Sequence, residues 1–398
     1  MKIVIIGGGA AGFFSAIQLA ENHPAAQVTI LERGRSVLEK VRISGGGRCN
    51  VTHACWDPRE LTKFYPRGER ELLGPFNKFA CGDTMGWFED RGVELKIEED
   101  GRVFPVSDDS GTIIDCLWNT AKQNGVKVIT RCRAEKFWRA ENGQWQILAN
   151  GETFAADRLV VTTGSNPAIW KQLKALGLEV IDPLPSLFAF NVPDKKLHAL
   201  SGISLPWAQL RIEGNKLKAE GPLLITHKGL SGPAVLRISA WGARELAPMK
   251  YNFKLRVNWL ARRQQDVDDD LRDLAVNVAK QQIGSHGQFD LPQRLWRYFL
   301  DRAGIKPETR WAELGKKPRL KLTEQLTNGS FQVNGKATNK DEFTTAGGVA
   351  LREIDFKNFT CKKIPGLHLA GEVLDIDAIT GGFNFQAAWT GGYLIGGR

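Results

Sequence analysis

The stretch Lys2–Gly12, KIVIIGGGAAG, decides the fold. Four β-branched residues, Ile3 to Ile6, lead into Gly7, Gly9 and Gly12, and Phe13–Leu19 continues as a helix. Strand, G-x-G-x-x-G turn and helix in that order form the dinucleotide-binding turn of a βαβ unit. Gly7 permits the tight turn, Gly9 lets a pyrophosphate approach the backbone, and Gly12 lets helix and strand pack closely. Ala10 and Ala11 open the helix, where free N–H groups and the positive dipole end favour an anion. A second strand, Val28–Leu31, ends in Glu32, twenty residues past Gly12, where a carboxylate can bind an adenosine ribose. Arg33 follows it and joins the expected cofactor contacts.

The rest of the composition narrows the class. At 398 residues the chain has room for two or three domains and a large core. No apolar run approaches a membrane span, and the N-terminal run is too short for a signal peptide, so a cytoplasmic protein with no membrane partner is expected. Six cysteines without C-x-x-C spacing and six histidines without H-x-x-x-H register argue for free thiols and against a metal site. The formal charge of +10 has two readings, a solvated basic surface or a polyanionic partner.

Beyond Glu32 lies a basic, glycine-rich segment, Lys40–His53, KVRISGGGRCNVTH. Ser44, Gly45, Gly46 and Gly47, beside Arg42 and Arg48, suit a loop whose N–H groups face an anion or a flat ring. Cys49 lies between Arg48 and Asn50, where a cation favours thiolate; it could equally be a small buried filler. Residues 57–90 read as helical, with Phe64, Phe76, Phe79, Trp87 and Phe88 as core. A helix over 110–123, a strand over 126–130 and a hairpin at Asn142-Gly143 follow. The strand Arg158–Thr163 ends in Gly164, which returns the chain to the cofactor.

From about Pro183 a proline-punctuated linker leads into a β-rich insert over 190–257. His227 lies within it, in the segment 221–239. Asp266–Gln282 reads as an amphipathic helix. Between Arg294 and Lys321 there are nine basic residues against three acidic ones, with Trp296, Tyr298 and Trp311 interleaved. Basic residues bind phosphates and aromatics stack on bases, so Arg294, Arg297, Lys316, Lys317 and Arg319 are the candidate nucleic-acid contacts. The alternative is that the aromatics are core and the charges their rim.

The C-terminal stretch decides which dinucleotide. The strand Leu367–Ala370 ends in Gly371-Glu372, and the chain then passes Asp375 to enter a glycine-started helix through Gly381, Gly382, Phe383, Asn384, Gln386 and Ala387. A second acidic turn and a second helix N-terminus, far from the first, suit FAD. One serves the ribityl–phosphate region and the other the N1/C2=O edge of the isoalloxazine. A domain binding NAD alone has no use for them.

Five segments together resemble the BaiN/RdsA family of NAD(P)/FAD-dependent oxidoreductases, YhiN-like flavoproteins: SGGGRCN (44–50), GRVFPVSD (101–108), THKGLSGPAVL (226–236), TTAGGVAL (344–351) and AGEVLDIDAITGGFNFQAAWTGG (370–392). The resemblance implies an α/β fold, a Rossmann-like FAD-binding domain of the glutathione-reductase-like flavoprotein type. A β-barrel-like domain and a small helical domain interrupt it. The expected bounds are 1–189 with 335–398 for the FAD-binding domain, 190–257 with 320–334 for the inserted one, and 258–319 for the helical one. One departure is visible: the glycine loop ends in Val51-Thr52-His53 where the family commonly has Asn-Thr-Asn.

The resemblance further implies hydride transfer from NAD(P)H through FAD to an activated carbon–carbon double bond. With no second G-x-G-x-x-G, nicotinamide is expected to dock transiently at the flavin. Two substrate classes go with the family: uridine of large-subunit ribosomal RNA, giving dihydrouridine, and small unsaturated molecules such as bile-acid intermediates. For ribosomal RNA, an acid must protonate C5, and Cys49 and His227 are the candidates. A small-molecule ene-reductase needs no basic face. A non-catalytic flavin-bound RNA-binding or redox-sensing protein is the third reading.

Overall fold

The computed structural model describes residues 1–337 and 344–397; residues 338–343 and Arg398, which fall within the expected 335–398 segment, lie outside the described residues. The chain divides into two compact units, Met1–Leu184 with Thr345–Arg398, and Pro185–Thr344.

The first unit is a Rossmann-like α/β domain. Its sheet has seven strands in the order Ile354–Asp355, Thr360–Cys361, Leu367–Leu369, Arg158–Val161, Lys2–Ile6, Gln27–Leu31 and Lys127–Ile129, and the last five are mutually parallel. Ile3, Val4, Ile5 and Ile6 are all buried. A parallel strand covered on both faces needs a continuous β-branched run rather than alternation, and that run is what the opening stretch supplies.

On this sheet the first helix, Ala10–Asn22, packs closely against the C-terminal helix, Phe383–Gly396. A Cβ at Gly392 would lie 2.8 Å from the Phe14 Cβ, and one at Gly396 would lie 2.2 Å from the Gln18 Cβ. The contacts climb both helices together, so the helices run parallel and their N-termini share one end. Nine residues separate Gly392 from Phe383 and five separate Ser15 from Ala10. At about 1.5 Å per residue the C-terminal helix therefore starts roughly 6 Å further out.

The second unit is a six-stranded antiparallel sheet in the order Phe190–Asn191, Gly229–Ser231, Lys218–Thr226, Ser204–Ile212, Asn252–Asn258 and Gly329–Asn334. It closes on itself. Phe190 bridges Lys336, the Asn191 N–H donates to the Gly335 carbonyl at 3.0 Å, and the Ala337 N–H donates to the Ala189 carbonyl at 2.9 Å.

Two expectations are corrected. The helices Gln264–Asn277, Gln293–Ala303 and Lys316–Asn328 do not form a domain of their own. Their Val267, Leu271, Trp296, Leu322 and Leu326 share one core with Leu255, Trp259 and Phe331 of the barrel. The expected linker near Pro183 is part of a strand, Val180–Ser186, paired with Thr344–Val349, and the division falls at Leu184 rather than 189. Among the described residues no helix is long and apolar enough to cross a membrane.

Candidate functional site

The three motif glycines have different physical roles. Gly7 adopts φ +108°, and a Cβ there would lie 2.6 Å from the Thr162 carbonyl oxygen. A Cβ at Gly12 would lie 2.0 Å from the Gly7 carbonyl oxygen. Both are required by the protein's own packing. At Gly9, which caps the first helix, a Cβ would meet nothing within 4 Å. Open space therefore faces the first-turn N–H groups of Ala10, Ala11 and Gly12, which have no intrahelical acceptor. Beside it, the buried hydroxyl of Thr163 has no hydrogen-bond partner among the described residues. A bound phosphate or ribose would satisfy all of these groups, so the residues present fit a dinucleotide.

Glu32 closes one side of the turn. Its Oε2 accepts from the Gly8 N–H at 2.8 Å and its Oε1 from the Gly34 N–H at 2.6 Å. Each oxygen keeps lone-pair capacity for ribose hydroxyls. Arg33 is exposed.

The far end of the chain arrives at the same place. A Cβ at Gly371 would lie 3.4 Å from the Ala11 Cβ. Next to it, Glu372 Oε2 accepts from Lys40 Nζ at 2.5 Å. A Cβ at Gly164, φ +61°, would lie 3.7 Å from the Glu372 carboxylate and 3.9 Å from Lys40 Nζ. Gly164, Glu372 and Lys40 thus converge from three segments. Lys40 is absent from the sequence-based set, although it heads the basic segment that supplied Arg42. Arg42 is exposed and, among the described residues, pairs with Glu39 at 3.6 Å. Asp375 is buried, and the nearby Asp377 forms a buried double ion pair with Arg67.

Gly45, Gly46 and Gly47 take φ of +58°, +71° and +88°, a run of left-handed backbone that needs glycine. Cβ atoms at Gly46 and Gly47 would meet nothing within 4 Å, so this loop also borders open space. The Ser44 side chain turns away, donating to the Val41 carbonyl at 2.8 Å.

Several neighbouring side chains are committed to the protein, which corrects their expected roles. The Arg48 guanidinium lies 3.9 Å over the Phe104 ring and pairs with Glu98 at 2.6 Å and Asp108 at 3.4 Å. It is not the cation that would ionise Cys49. That thiol is fully buried in the apolar core, and burial, opposed only by a hydrogen bond with Ser44, pushes its pKa up to about 12. Burial in the core argues against Cys49 as a proton donor to substrate. With its amide turned to satisfy both ends, Asn50 donates to the Thr52 carbonyl at 2.9 Å and accepts from the Gly382 N–H at 3.0 Å.

The side chains opening the C-terminal helix also point into protein. Phe383 is buried and stacks on Phe64 with centroids 4.3 Å apart. Fully buried Gln386 accepts from Thr52 at 2.6 Å and Thr84 at 2.9 Å, and donates to Thr390 at 3.1 Å. Asn384 closes its own loop on both backbone groups of Ala378, and Ala387 is buried. What this end offers a ligand is its backbone, through Gly381 and Gly382 at φ +130° and +88°. His53 contacts the Gly381 carbonyl at 3.2 Å through Nδ1; chiefly because of burial, its pKa lies below the ordinary imidazole value.

The remaining candidates lie in the second unit. His227 is exposed in the turn between Lys218–Thr226 and Gly229–Ser231. Arg294, Arg297, Lys316 and Lys317 are exposed. Arg319 is not free for nucleic acid, because it donates to buried Asp268 at 2.9 Å. Trp296, Tyr298 and Trp311 are buried, so these aromatics are core and stack on no base.

The family described as HI0933-like protein Rossmann domain matches residues 1–398. The chain is 28% identical to a ribosomal RNA dihydrouridine synthase of Haemophilus influenzae, over 98% of this chain and 96% of that protein. It is 27% identical to a 3-dehydro-bile acid delta(4,6)-reductase of Clostridium scindens, over 99% and 98%. Among solved structures its fold is similar to a flavocytochrome c3 fumarate reductase, with TM-score 0.52 and 15% identity, over 99% of this chain and 77% of that one.

Proposed function

The chain belongs to the HI0933-like Rossmann family, and from that premise we propose that it is an FAD-dependent oxidoreductase that reduces uridine in large-subunit ribosomal RNA, with NAD(P)H as electron donor. The observation that carries the FAD reading is one open, glycine-lined edge built from both ends of the chain. There the Gly9 space, the unpartnered Thr163 hydroxyl and the Glu372–Lys40 pair meet.

In this reading Glu32 holds the adenosine ribose, and the N–H groups of Ala10, Ala11 and Gly12 with the Thr163 hydroxyl hold the pyrophosphate. Glu372, Gly371 and Lys40 hold the ribityl–phosphate portion. Gly45–Gly47 and the N-terminus of the C-terminal helix face the ring, where the helix dipole stabilises negative charge. When bound, the flavin supplies a two-electron hydride relay between NAD(P)H and the double bond.

The substrate rests on the relative named as a ribosomal RNA dihydrouridine synthase and on the chain's net charge of +10. Deleting the gene and mapping dihydrouridine in large-subunit ribosomal RNA tests it. Loss of a modified position, restored by the wild-type gene, is expected; an unchanged map contradicts the proposal. The second reading, a small-molecule ene-reductase, draws on the 27% identical bile-acid reductase and on the burial of the aromatics in the 294–321 stretch. NAD(P)H oxidation driven by a small enone, with RNA inert, would favour it.

A further inference from the structure

The charge of +10 is not spread along the chain. Residues 185–344 hold 26 Lys and Arg against 16 Asp and Glu, whereas the rest of the chain holds 28 of each. The nucleotide-binding unit is therefore formally neutral, and the inserted unit carries the whole excess.

One face of the barrel lines up three of these cations. Along Ser204–Ile212 the residues Ala208, Leu210 and Ile212 are buried, so Trp207, Gln209 and Arg211 face outward. Trp207 is 51% exposed. The strand register sets Arg211 opposite Lys218 on one side and opposite Arg256 on the other. Three cations thus stand in one row across three neighbouring strands, about 4.8 Å apart from strand to strand.

Like charges directly opposite each other destabilise a sheet, so folding alone does not account for this row. Arg256 is compensated by Glu213 at 2.6 Å. Among the described residues the Arg211 guanidinium donates to the Asn328 amide oxygen, at 3.3 Å. Neither Arg211 nor Lys218 forms an ion pair among the described residues. In the adjacent row Gln209 lies between Glu220 and Asn258, donating to Glu220 at 3.3 Å. The face joins cations and an exposed indole with the Glu220 carboxylate, and the Asn258 amide donates to Gln209 at 3.4 Å.

We infer that this outer barrel face, centred on Trp207 and Arg211, docks a single-stranded segment of the RNA substrate; the inference rests on the ribosomal RNA reading above. A flexible polyanion with unstacked bases fits the cations and the indole. Its phosphates neutralise Arg211 and Lys218, and Trp207 stacks on one base. A double helix would answer the cations but leave the indole idle.

The test uses FAD-loaded full-length protein and a fluorescently labelled single-stranded oligouridylate, with binding read by anisotropy across a salt series. Trp207→Ala is expected to weaken binding roughly five- to 150-fold. Arg211→Gln with Lys218→Gln is expected to reduce the slope of log K against log salt by about 1.4, or 0.7 per lost phosphate contact. Because it relieves like-charge repulsion, the same double variant should melt no lower than wild type. Arg294→Gln with Arg297→Gln serves as the competing patch. Wild-type affinity and slope in both barrel variants, with dihydrouridine still formed in ribosomal RNA, would overturn the docking surface and leave the substrate reading standing. Loss of binding only in the Arg294 and Arg297 variant would do the same. A wild-type protein that neither binds the oligonucleotide nor modifies ribosomal RNA removes the substrate reading, and the surface falls with it.

Discussion

Alanine at Gly12 and alanine at Gly9 are expected to act oppositely, although the sites are three residues apart. At Gly12 the new methyl would lie 2.0 Å from the Gly7 carbonyl oxygen, which itself accepts from the Thr162 hydroxyl at 2.9 Å. Neither backbone nor hydroxyl can retreat without opening the turn. Overpacking costs about 1–3 kcal/mol, and a contact this short belongs at the upper end. Replacing glycine within a helix returns up to about 1 kcal/mol, leaving a net loss of about 2 kcal/mol. For a unit of this size that lowers Tm by about 4–8 °C.

At Gly9 the methyl enters open space, and φ −91°, ψ −167° is accessible to alanine. Loss of glycine's advantage at a helix N-cap, several tenths of a kcal/mol, is offset by about 0.4–1 kcal/mol of reduced unfolded-state entropy. Stability should therefore stay within about 0.5 kcal/mol of wild type. Its methyl nevertheless occupies the approach of the pyrophosphate, so FAD affinity should fall at least tenfold, about 1.4 kcal/mol. Thermal melting of the cofactor-free protein and FAD titration by flavin fluorescence read the two effects separately. Unchanged FAD affinity in Gly9→Ala, or an unchanged Tm in Gly12→Ala, would refute this division of labour.

Asp268→Ala strands Arg319, which is largely buried, and should cost about 3 kcal/mol, whereas Arg294→Gln should stay within about 0.5 kcal/mol of wild type. Chemical denaturation checks both, and equal effects would return Arg319 to the nucleic-acid surface. His53 and His368 are both held below the ordinary imidazole pKa, first by burial. As pH falls past about 6.5 the unfolded chain takes up these protons first, so their stabilisation, full at higher pH, is lost on acidification through that window. Tm measured from about pH 7.5 down to about pH 5.5 should fall, and less steeply in the His53→Asn, His368→Asn double variant; parallel slopes would contradict the assignment. Cys49→Ala should retain FAD and near-normal turnover, since the thiol is fully buried in the core and has no route to substrate. A loss of turnover at full FAD occupancy would restore it as the acid.

The opening glycine turn was legible because its determinants are local: a β-branched run, three glycines at fixed spacing and a helix all lie within twenty residues. The helix Ser110–Gln123 is legible for the same reason. Gly371-Glu372 could be recognised as a second acidic turn, but its contact with Ala11 and Lys40 spans more than 300 residues and is set by strand order. The C-terminal helix misled because it is covered almost all round, so no apolar stripe tells which of Phe383 and Gln386 faces the core. In the 294–321 stretch a signal was present. Leu295, Trp296, Phe299, Leu300 and Ala303 follow a helical repeat, and that periodicity by itself marks Trp296 as core. Arg319 gave none, since its partner Asp268 lies on another helix. Likewise, alternation reveals that Trp207, Gln209 and Arg211 share a face, but only register sets Lys218 and Arg256 beside Arg211.

The most direct test of the account is the identity and stoichiometry of the cofactor. Purified protein should be yellow and release one FAD per chain on denaturation, and Gly9→Ala should bind FAD at least tenfold more weakly while its cofactor-free form melts with cofactor-free wild type. A folded, colourless protein that takes up no added FAD would contradict the site from which every functional step here proceeds.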